Sequence, residues 1–396
     1  MSLFDDLPEP SARSDQVDSK QQENNLEPST SELFERPCSI CTFIMKGERP
    51  EMQDAHVCIN DLSAYFRTPA VAEVCRLSYF AVFDGHGGSK ASTFAAKRLH
   101  LNFASKFPKG GLAQIEKDIK RVFYDAFKKT DGDFLREACQ QRPHWRDGST
   151  ASVVLIVNNT LYIANLGDSK VVLAREVEET IDVDSNKSTA GSGNPKSALI
   201  SAVSLTRDHN PMDYEERQRI QATGATVQNG RVNNILEVSR SFGDYQFKKQ
   251  GVTCLPDVRK CQLTAHDRFV LIACDGLWKS FPPEEAVALT NRLLMKELES
   301  AAVAFTGSKT NSPSSSTVGL TQRHLDSVCS HLVNEAVLRM SGDNVTCILL
   351  AFPTAFVNHK VTANADGNGY QTQNSAHLLS SHISVLEPPT KVSKLT

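Results

Sequence analysis

Three aspartates stand where apolar runs meet glycine. Phe80-Ala81-Val82-Phe83 leads into Asp84-Gly85-His86-Gly87-Gly88, and Val270-Leu271-Ile272-Ala273-Cys274 leads into Asp275-Gly276. In mirror order, Ser341-Gly342-Asp343-Asn344 precedes Val345-Thr346-Cys347-Ile348. A buried strand holds its last residue firmly, and a neighbouring glycine lets the backbone bend so that a carboxylate and a carbonyl face one space. Carboxylates gathered at one sheet edge repel each other unless cations lie between them, and hard oxygen ligands favour Mg²⁺ or Mn²⁺ over zinc. Any one Asp-Gly pair is also ordinary turn sequence. The glycines at 85, 87 and 88 read equally as a turn that opens a helix. Recurrence of the pattern is what points to a metal centre.

The elements that must position these residues are legible in the hydrophobic pattern. Strand signals cover Leu77–Phe83, Ala151–Val157, Leu161–Asn165, Lys170–Ala174, Arg268–Cys274 and Val345–Phe352. Tight turns at Asn158-Asn159-Thr160 and Leu166-Gly167-Asp168-Ser169 predict hairpins, hence mainly antiparallel sheet. Ile115, Ile119, Val122, Phe123, Ala126, Phe127, Thr130 and Phe134 recur at helical steps within Leu112–Cys139. That helix would run about 40 Å. Further helices are expected after Gly87-Gly88, over Pro283–Leu298 and over Leu325–Arg339. Amphipathic helices of this length imply cover for sheet faces.

Composition bounds the rest. The 396 residues carry 43 Lys+Arg against 46 Asp+Glu, net −3, which gives no global field for nucleic acid. Residues 1–36 hold nine acidic and three basic side chains, and polar residues dominate from about Pro353 onward. The expected organisation is a disordered acidic tail (1–38), a catalytic body (39–353) and a disordered C-terminal tail (354–396). Within the body, polar insertions are expected at 176–201 and 300–319. No apolar run reaches the ~20 residues of a membrane helix. The acidic opening Met1-Ser2-Leu3-Phe4-Asp5-Asp6 is unlike a secretory signal. We therefore expect a cytoplasmic monomer, with nuclear entry left open, and ten reduced cysteines.

Eight short blocks follow one another along the chain. They run from Gly47-Glu48-Arg49-Pro50-Glu51-Met52-Gln53-Asp54-Ala55-His56 through Phe83-Asp84-Gly85-His86-Gly87-Gly88, Asp147-Gly148-Ser149-Thr150-Ala151 and Ala164-Asn165-Leu166-Gly167-Asp168-Ser169. Val238-Ser239-Arg240-Ser241-Phe242-Gly243-Asp244, Pro256-Asp257-Val258, Asp275-Gly276-Leu277-Trp278 and Asp343-Asn344-Val345-Thr346 complete the series. In this order the blocks resemble those of the metal-dependent type 2C protein phosphatases, which act on phosphoserine and phosphothreonine, and the likeness spans roughly residues 42–352. Leu3-Phe4-Asp5-Asp6-Leu7-Pro8-Glu9-Pro10, Glu51-Met52-Gln53-Asp54 and Phe107-Pro108-Lys109-Gly110 are similar to the subtype associated with integrin-linked kinase. The resemblance thus brings that kinase into view as a partner, and phosphorylated proteins as substrates in signalling. The Leu-Phe-Asp-Asp-Leu stretch is a candidate docking motif.

The resemblance implies an α+β fold, a four-layer α-β-β-α sandwich of two mainly antiparallel sheets flanked by helices. It also implies a binuclear Mg²⁺/Mn²⁺ centre. Asp84 would bridge the ions, the Gly85 carbonyl would bind one, and Asp275 and Asp343 the other. A water shared by the ions would attack phosphorus in line as hydroxide. Arg49 would hold phosphate oxygens with its planar fork, and His86 would protonate the leaving serine or threonine oxygen.

Two departures bear on that centre. Gln53 stands where the family commonly has Glu, so weaker binding is expected at one metal position; Asp54 beside it would orient metal waters. Lys279 stands where many members carry an acidic residue of a third metal site, to which Asp168 would also contribute, so a third ion is disfavoured. These changes keep a second reading open, a phosphatase-like regulatory scaffold with a weakened metal site. A hydrolase of another phosphate ester is a third, against which the near-neutral body argues.

Other chemistries lack their residues. No cysteine is followed by arginine after five intervening residues, as a cysteine-based phosphatase needs. Cys38-x-x-Cys41 has no second half for zinc. There is no glycine-rich loop ending in Lys-Ser or Lys-Thr.

Overall fold

A computed structural model describes residues 39–66, 73–177, 199–307 and 320–352, together with the short segments 360–363, 370–373 and 383–385. Two sheets form its centre. The five-stranded sheet runs in the order Ser39–Met45, Val345–Ala351, Asp267–Ala273, Lys170–Val177, Leu199–Ser204. The six-stranded sheet runs Ile383–Val385, Asp257–Gln262, Thr160–Leu166, Ala151–Val157, Leu77–Phe83, Ala55–Ile59. Every pairing within both is antiparallel.

Strand alternation builds three apolar layers from these sheets. Leu77, Tyr79, Ala81 and Phe83 face the helices Lys90–Ala104 and Leu112–Gln140, whereas Phe80 and Val82 face the opposite sheet. In the same way Cys347 and Leu349 pack under the helices Pro283–Gly307 and Gln322–Leu338, while Ile348 and Leu350 point into the layer between sheets. All seven residues of Leu77–Phe83, Ala151–Val157 and Val345–Ala351 are buried. Strands covered on both faces read as unbroken apolar runs, which is why these were so plain in the sequence. The result is the expected four-layer sandwich.

Several boundaries differ from expectation. Lys170–Val177 and Leu199–Ser204 form a hairpin pair that uses both ends of the 176–201 stretch as strand. The helix beginning at Pro283 continues to Gly307, into the stretch expected as insertion, because Leu298-Glu299-Ser300-Ala301-Ala302 carries no breaker. The C-terminal stretch expected to be disordered contributes three short strands: Lys360–Ala363 pairs with Tyr370–Gln373, and Ile383–Val385 adds to the edge strand Asp257–Gln262. Edge pairing draws on backbone groups alone, so a polar segment can supply it. The acidic tail 1–38, with its docking motif, lies outside the described residues, as do 178–198 and 308–319.

Register fixes what meets at one end of the sandwich. Ala55 pairs with Phe83, Ala151 with Leu166, Ala273 with both Lys170 and Cys347, and Met45 with Val345. The sequence candidates cluster just beyond these pairs: Asp54 and Asp84 adjoin Ala55 and Phe83, while Asp168, Asp275 and Asp343 lie two residues out from Lys170, Ala273 and Val345.

Candidate active site

Asp84 emerges from Leu77–Phe83 and is held by reciprocal bonds to Thr150: its N–H donates to Thr150 Oγ1 (3.1 Å), and its carbonyl accepts from Thr150 N–H (2.8 Å). Thr150 Oγ1 in turn lies 2.9 Å from Ser169 Oγ, so one hydroxyl pair ties the Asp84 and Asp168 turns together. Gly85 has no room for a side chain, since a Cβ there would lie 2.2 Å from the Gln53 carbonyl oxygen. One carboxylate oxygen each from Asp84, Asp168 and Asp275 lie within 4.8 Å of one another. Atoms of Asp54, Asp84 and Cys274 form a second group of the same span.

Electrostatics show what this gathering costs. Burial, with the charges of Asp54, Asp275, Asp168 and Asp343, holds Asp84 well above the usual carboxylate range. Burial first, then Asp275 and Asp208, push Asp168 up to about 7, with Lys279 opposing. Asp54 is raised to about 6, mainly by burial and further by Asp343 and Asp275, although Thr346 and Cys274 hydrogen-bond to it. Thr346 Oγ1 donates to Asp54 Oδ2 at 2.7 Å. A multivalent cation among these oxygens would remove the conflict. The donor set suits a hard ion. Cys274 is unlike a thiolate ligand, because its Sγ accepts from Thr346 N–H (3.1 Å) and lies 3.3 Å from the Asn344 carbonyl oxygen, and burial drives its pKa far up.

Asp343 is joined to this group through cations of the protein itself. Its Oδ2 takes Arg49 Nη2 at 2.8 Å and Lys279 Nζ at 3.3 Å, and the same ammonium lies 2.6 Å from Asp275 Oδ2. Both carboxylates thus touch one nitrogen. Gly47, at φ +61°, and Gly276 let two turns close on this loop: a Cβ on Gly47 would meet the Asp343 carbonyl oxygen at 2.1 Å, and one on Gly276 would meet the Asn344 carbonyl oxygen at 2.0 Å.

Asn344 went unassigned in the sequence, yet it fastens the segment that carries Arg49, Gln53 and Asp54. Its Nδ2 donates to the Lys46 (2.8 Å) and Glu51 (3.1 Å) carbonyls, and its Oδ1 accepts from Gln53 N–H (2.8 Å). Gln53 is therefore fixed by its backbone, its carbonyl also accepting from Ser92 Oγ at 2.5 Å. An asparagine beside a candidate ligand was the only sequence signal for this role.

His86 stands one residue beyond Gly85, partly exposed. Its Nε2 lies 2.7 Å from Oδ2 of the buried Asp244. Burial pulls the imidazole down, but the charge and hydrogen bond of Asp244, with Asp168 and Asp147 adding, bring it above the usual histidine value. Ser241 Oγ donates to the same Asp244 oxygen (2.6 Å), and Asp244 adopts a left-handed conformation, φ +50°. Gly148 makes the pair sterically feasible: a Cβ there would lie 2.1 Å from His86 Nε2 and 2.2 Å from Asp244 Oδ2. Asp147 accepts from Lys90 N–H (2.9 Å) at the start of the helix behind His86. Asp244 was quoted only as part of a motif, because nothing local in the sequence joins it to position 86.

A sequence model of the family described as Protein phosphatase 2C matches residues 42–345. This chain belongs to that family. Integrin-linked kinase-associated serine/threonine phosphatase 2C of Bos taurus is 49% identical over 305 residues, covering 77% of this chain and 74% of the relative. The Homo sapiens protein of that name is 48% identical, covering 77% and 70%. Probable protein phosphatase 2C 8 of Arabidopsis thaliana is 37% identical over 312 residues, covering 78% and 76%. Among solved structures, a C. elegans sex determining protein superposes with TM-score 0.59 at 21% identity, covering 81% of this chain and 67% of that one. The serine-threonine phosphatase 2C of Toxoplasma gondii gives 0.58 at 18% identity, covering 80% and 95%. At such identities these two speak for the fold. The sandwich architecture of this protein phosphatase is thus that of its family.

Proposed function

We propose that this phosphatase hydrolyses phosphoserine and phosphothreonine on proteins at a binuclear Mg²⁺/Mn²⁺ centre. The observation that carries the reading is the convergence of Asp84, Asp168 and Asp275, from turns far apart in sequence, within 4.8 Å. Asp84, the Gly85 carbonyl, Asp275 and Asp343 would hold the two ions, with Asp54 and Asp168 at their flank. When bound, the ions supply positive charge at the phosphoryl oxygens and lower the pKa of water.

The remaining work falls to this chain's own side chains. Arg49 is half-exposed and engages Asp343 through one nitrogen, so the rest of its fork can take phosphate oxygens. With Nε2 of His86 engaged by Asp244, the proton available to a leaving alkoxide is that on Nδ1. Asp244 stabilises the imidazolium that carries it. By resemblance to the relatives named for it, integrin-linked kinase is the partner we would test first.

One observation favours the scaffold reading: Arg49 and Lys279 both occupy Asp343. A single assay separates the two. The purified full chain should release phosphate from a phosphothreonine peptide with Mn²⁺ or Mg²⁺ and not in chelator. No release under either condition, with saturable peptide binding retained, would favour the scaffold.

A further inference from the structure

Lys279 is the C-terminal cap of the short helix Asp275–Trp278, and its N–H donates to the Asp275 carbonyl at 2.7 Å. That turn is rigidly seated: Leu277 and Phe281 are fully buried, and Trp278 Nε1 donates to the Ala273 carbonyl at 2.8 Å. From this base the ammonium reaches back to Asp275 Oδ2 (2.6 Å) and across to Asp343 Oδ2 (3.3 Å). We propose that Lys279 is a tethered counter-cation of the centre, competing with divalent ions for Asp275 and Asp343. The proposal rests on reading Asp84, Asp275 and Asp343 as a metal centre.

An exposed ion pair four residues apart on a helix is ordinarily worth little. This one differs in its second carboxylate, which comes from the turn before a different strand. It differs also in the burial of both acids, whose side chains are 18% and 22% exposed against 54% for the lysine. An ammonium is a compact charge with three donors and no acceptor, so it can neutralise a carboxylate but cannot join an ion's coordination sphere. A divalent ion arriving at the same oxygens must displace it or bear its repulsion.

Two consequences run in opposite directions. In metal-free protein the lysine offsets carboxylate repulsion and keeps the turns at 275 and 343 together. In metal-loaded protein the same charge weakens the ions' hold.

The test compares metal-stripped full-length wild type, Lys279→Met and Lys279→Arg. Mn²⁺ affinity is read by calorimetry and the melting midpoint by circular dichroism in chelator. Because the side chain is half-exposed, Lys279→Met removes no core contact. The expected result is Mn²⁺ binding tightened about tenfold in Lys279→Met. Its midpoint in chelator should fall by about 2–4 °C. Lys279→Arg, which keeps the charge, should follow wild type in both. Unchanged or weakened Mn²⁺ affinity in Lys279→Met would overturn the proposal while leaving the metal centre standing. No saturable Mn²⁺ binding by any of the three would overturn both.

Discussion

This protein gathers carboxylates in two places and treats them oppositely. Glu216 and its neighbour Asp257 each have a protein cation. Glu216, 4% exposed, accepts from Arg219 Nη1 (2.8 Å) and Nη2 (2.7 Å), from Arg240 Nη2 (2.6 Å) and from Ser239 Oγ (2.5 Å). Arg240 Nη1 also donates to Asp257 (2.8 Å), whose other oxygen lies 3.3 Å from His209 Nε2. Burial would raise both acids, but these partners outweigh it: Glu216 falls far below its ordinary value and Asp257 to about 2. At the sheet ends, burial and like charge instead drive Asp54, Asp84 and Asp168 up. The first cluster is complete and holds a small satellite core (Ile220, Val232, Phe247) to the strand Asp257–Gln262. In the second, Asp54, Asp84 and Asp168 gather like charge, which the divalent ions of the proposed centre would offset.

The largest effect should separate the clusters outright. Asp84→Asn or Asp275→Asn should lower phosphate release by on the order of 10³-fold, since each removes a charge that would hold the ions of the proposed centre. Asp84→Asn should not lower the melting midpoint in chelator, because it relieves repulsion. Glu216→Gln should do the reverse, costing about 3–5 kcal/mol in denaturant unfolding by stranding Arg219 and Arg240, with Mn²⁺ affinity unchanged. If Asp84→Asn destabilises the metal-free fold as Glu216→Gln does, the distinction collapses.

A smaller effect sharpens it. Asp244→Asn should lower kcat by about 10–100-fold with KM unchanged, because it orients His86 and touches no ion in our reading. An unchanged kcat would remove Asp244 from the account. The smallest effect concerns acid. Glu216 and Asp257 are depressed in the folded state, so their contribution is complete above the unfolded carboxylate values. It is lost as pH falls from about 4 towards 2. The satellite region 209–253 should therefore lose amide-exchange protection in that window, and Glu216→Gln should flatten the dependence.

The sequence made much of this legible, for definite reasons. Leu77–Phe83, Ala151–Val157 and Val345–Ala351 are covered on both faces, so their apolar runs are continuous and end at residues that matter. Asp84, Asp275 and Asp343 could be chosen because each adjoins such an end. The helix at Leu112–Gln140 followed from its periodicity almost to the residue. What stayed hidden depends on register between distant strands. Asn344 grips carbonyls at Lys46 and Glu51, and Asp244 meets His86 across the gap left by Gly148; no local pattern encodes either contact. Lys279 was visible as a reversed charge, but its reach to two carboxylates required the turn after Cys274 to be in place. The strand Ile383–Val385 escaped notice because edge pairing leaves little trace in side-chain chemistry.

The central claim is that carboxylates from separate turns hold divalent ions at one end of the sandwich. Crystals grown with Mn²⁺ and measured at a wavelength where manganese scatters anomalously would test it directly. The account predicts two strong anomalous peaks, one against Asp84, Asp275 and Asp343 and the other against Asp84 and the Gly85 carbonyl. Anomalous density confined to other parts of the surface, with these carboxylates bare, would contradict it.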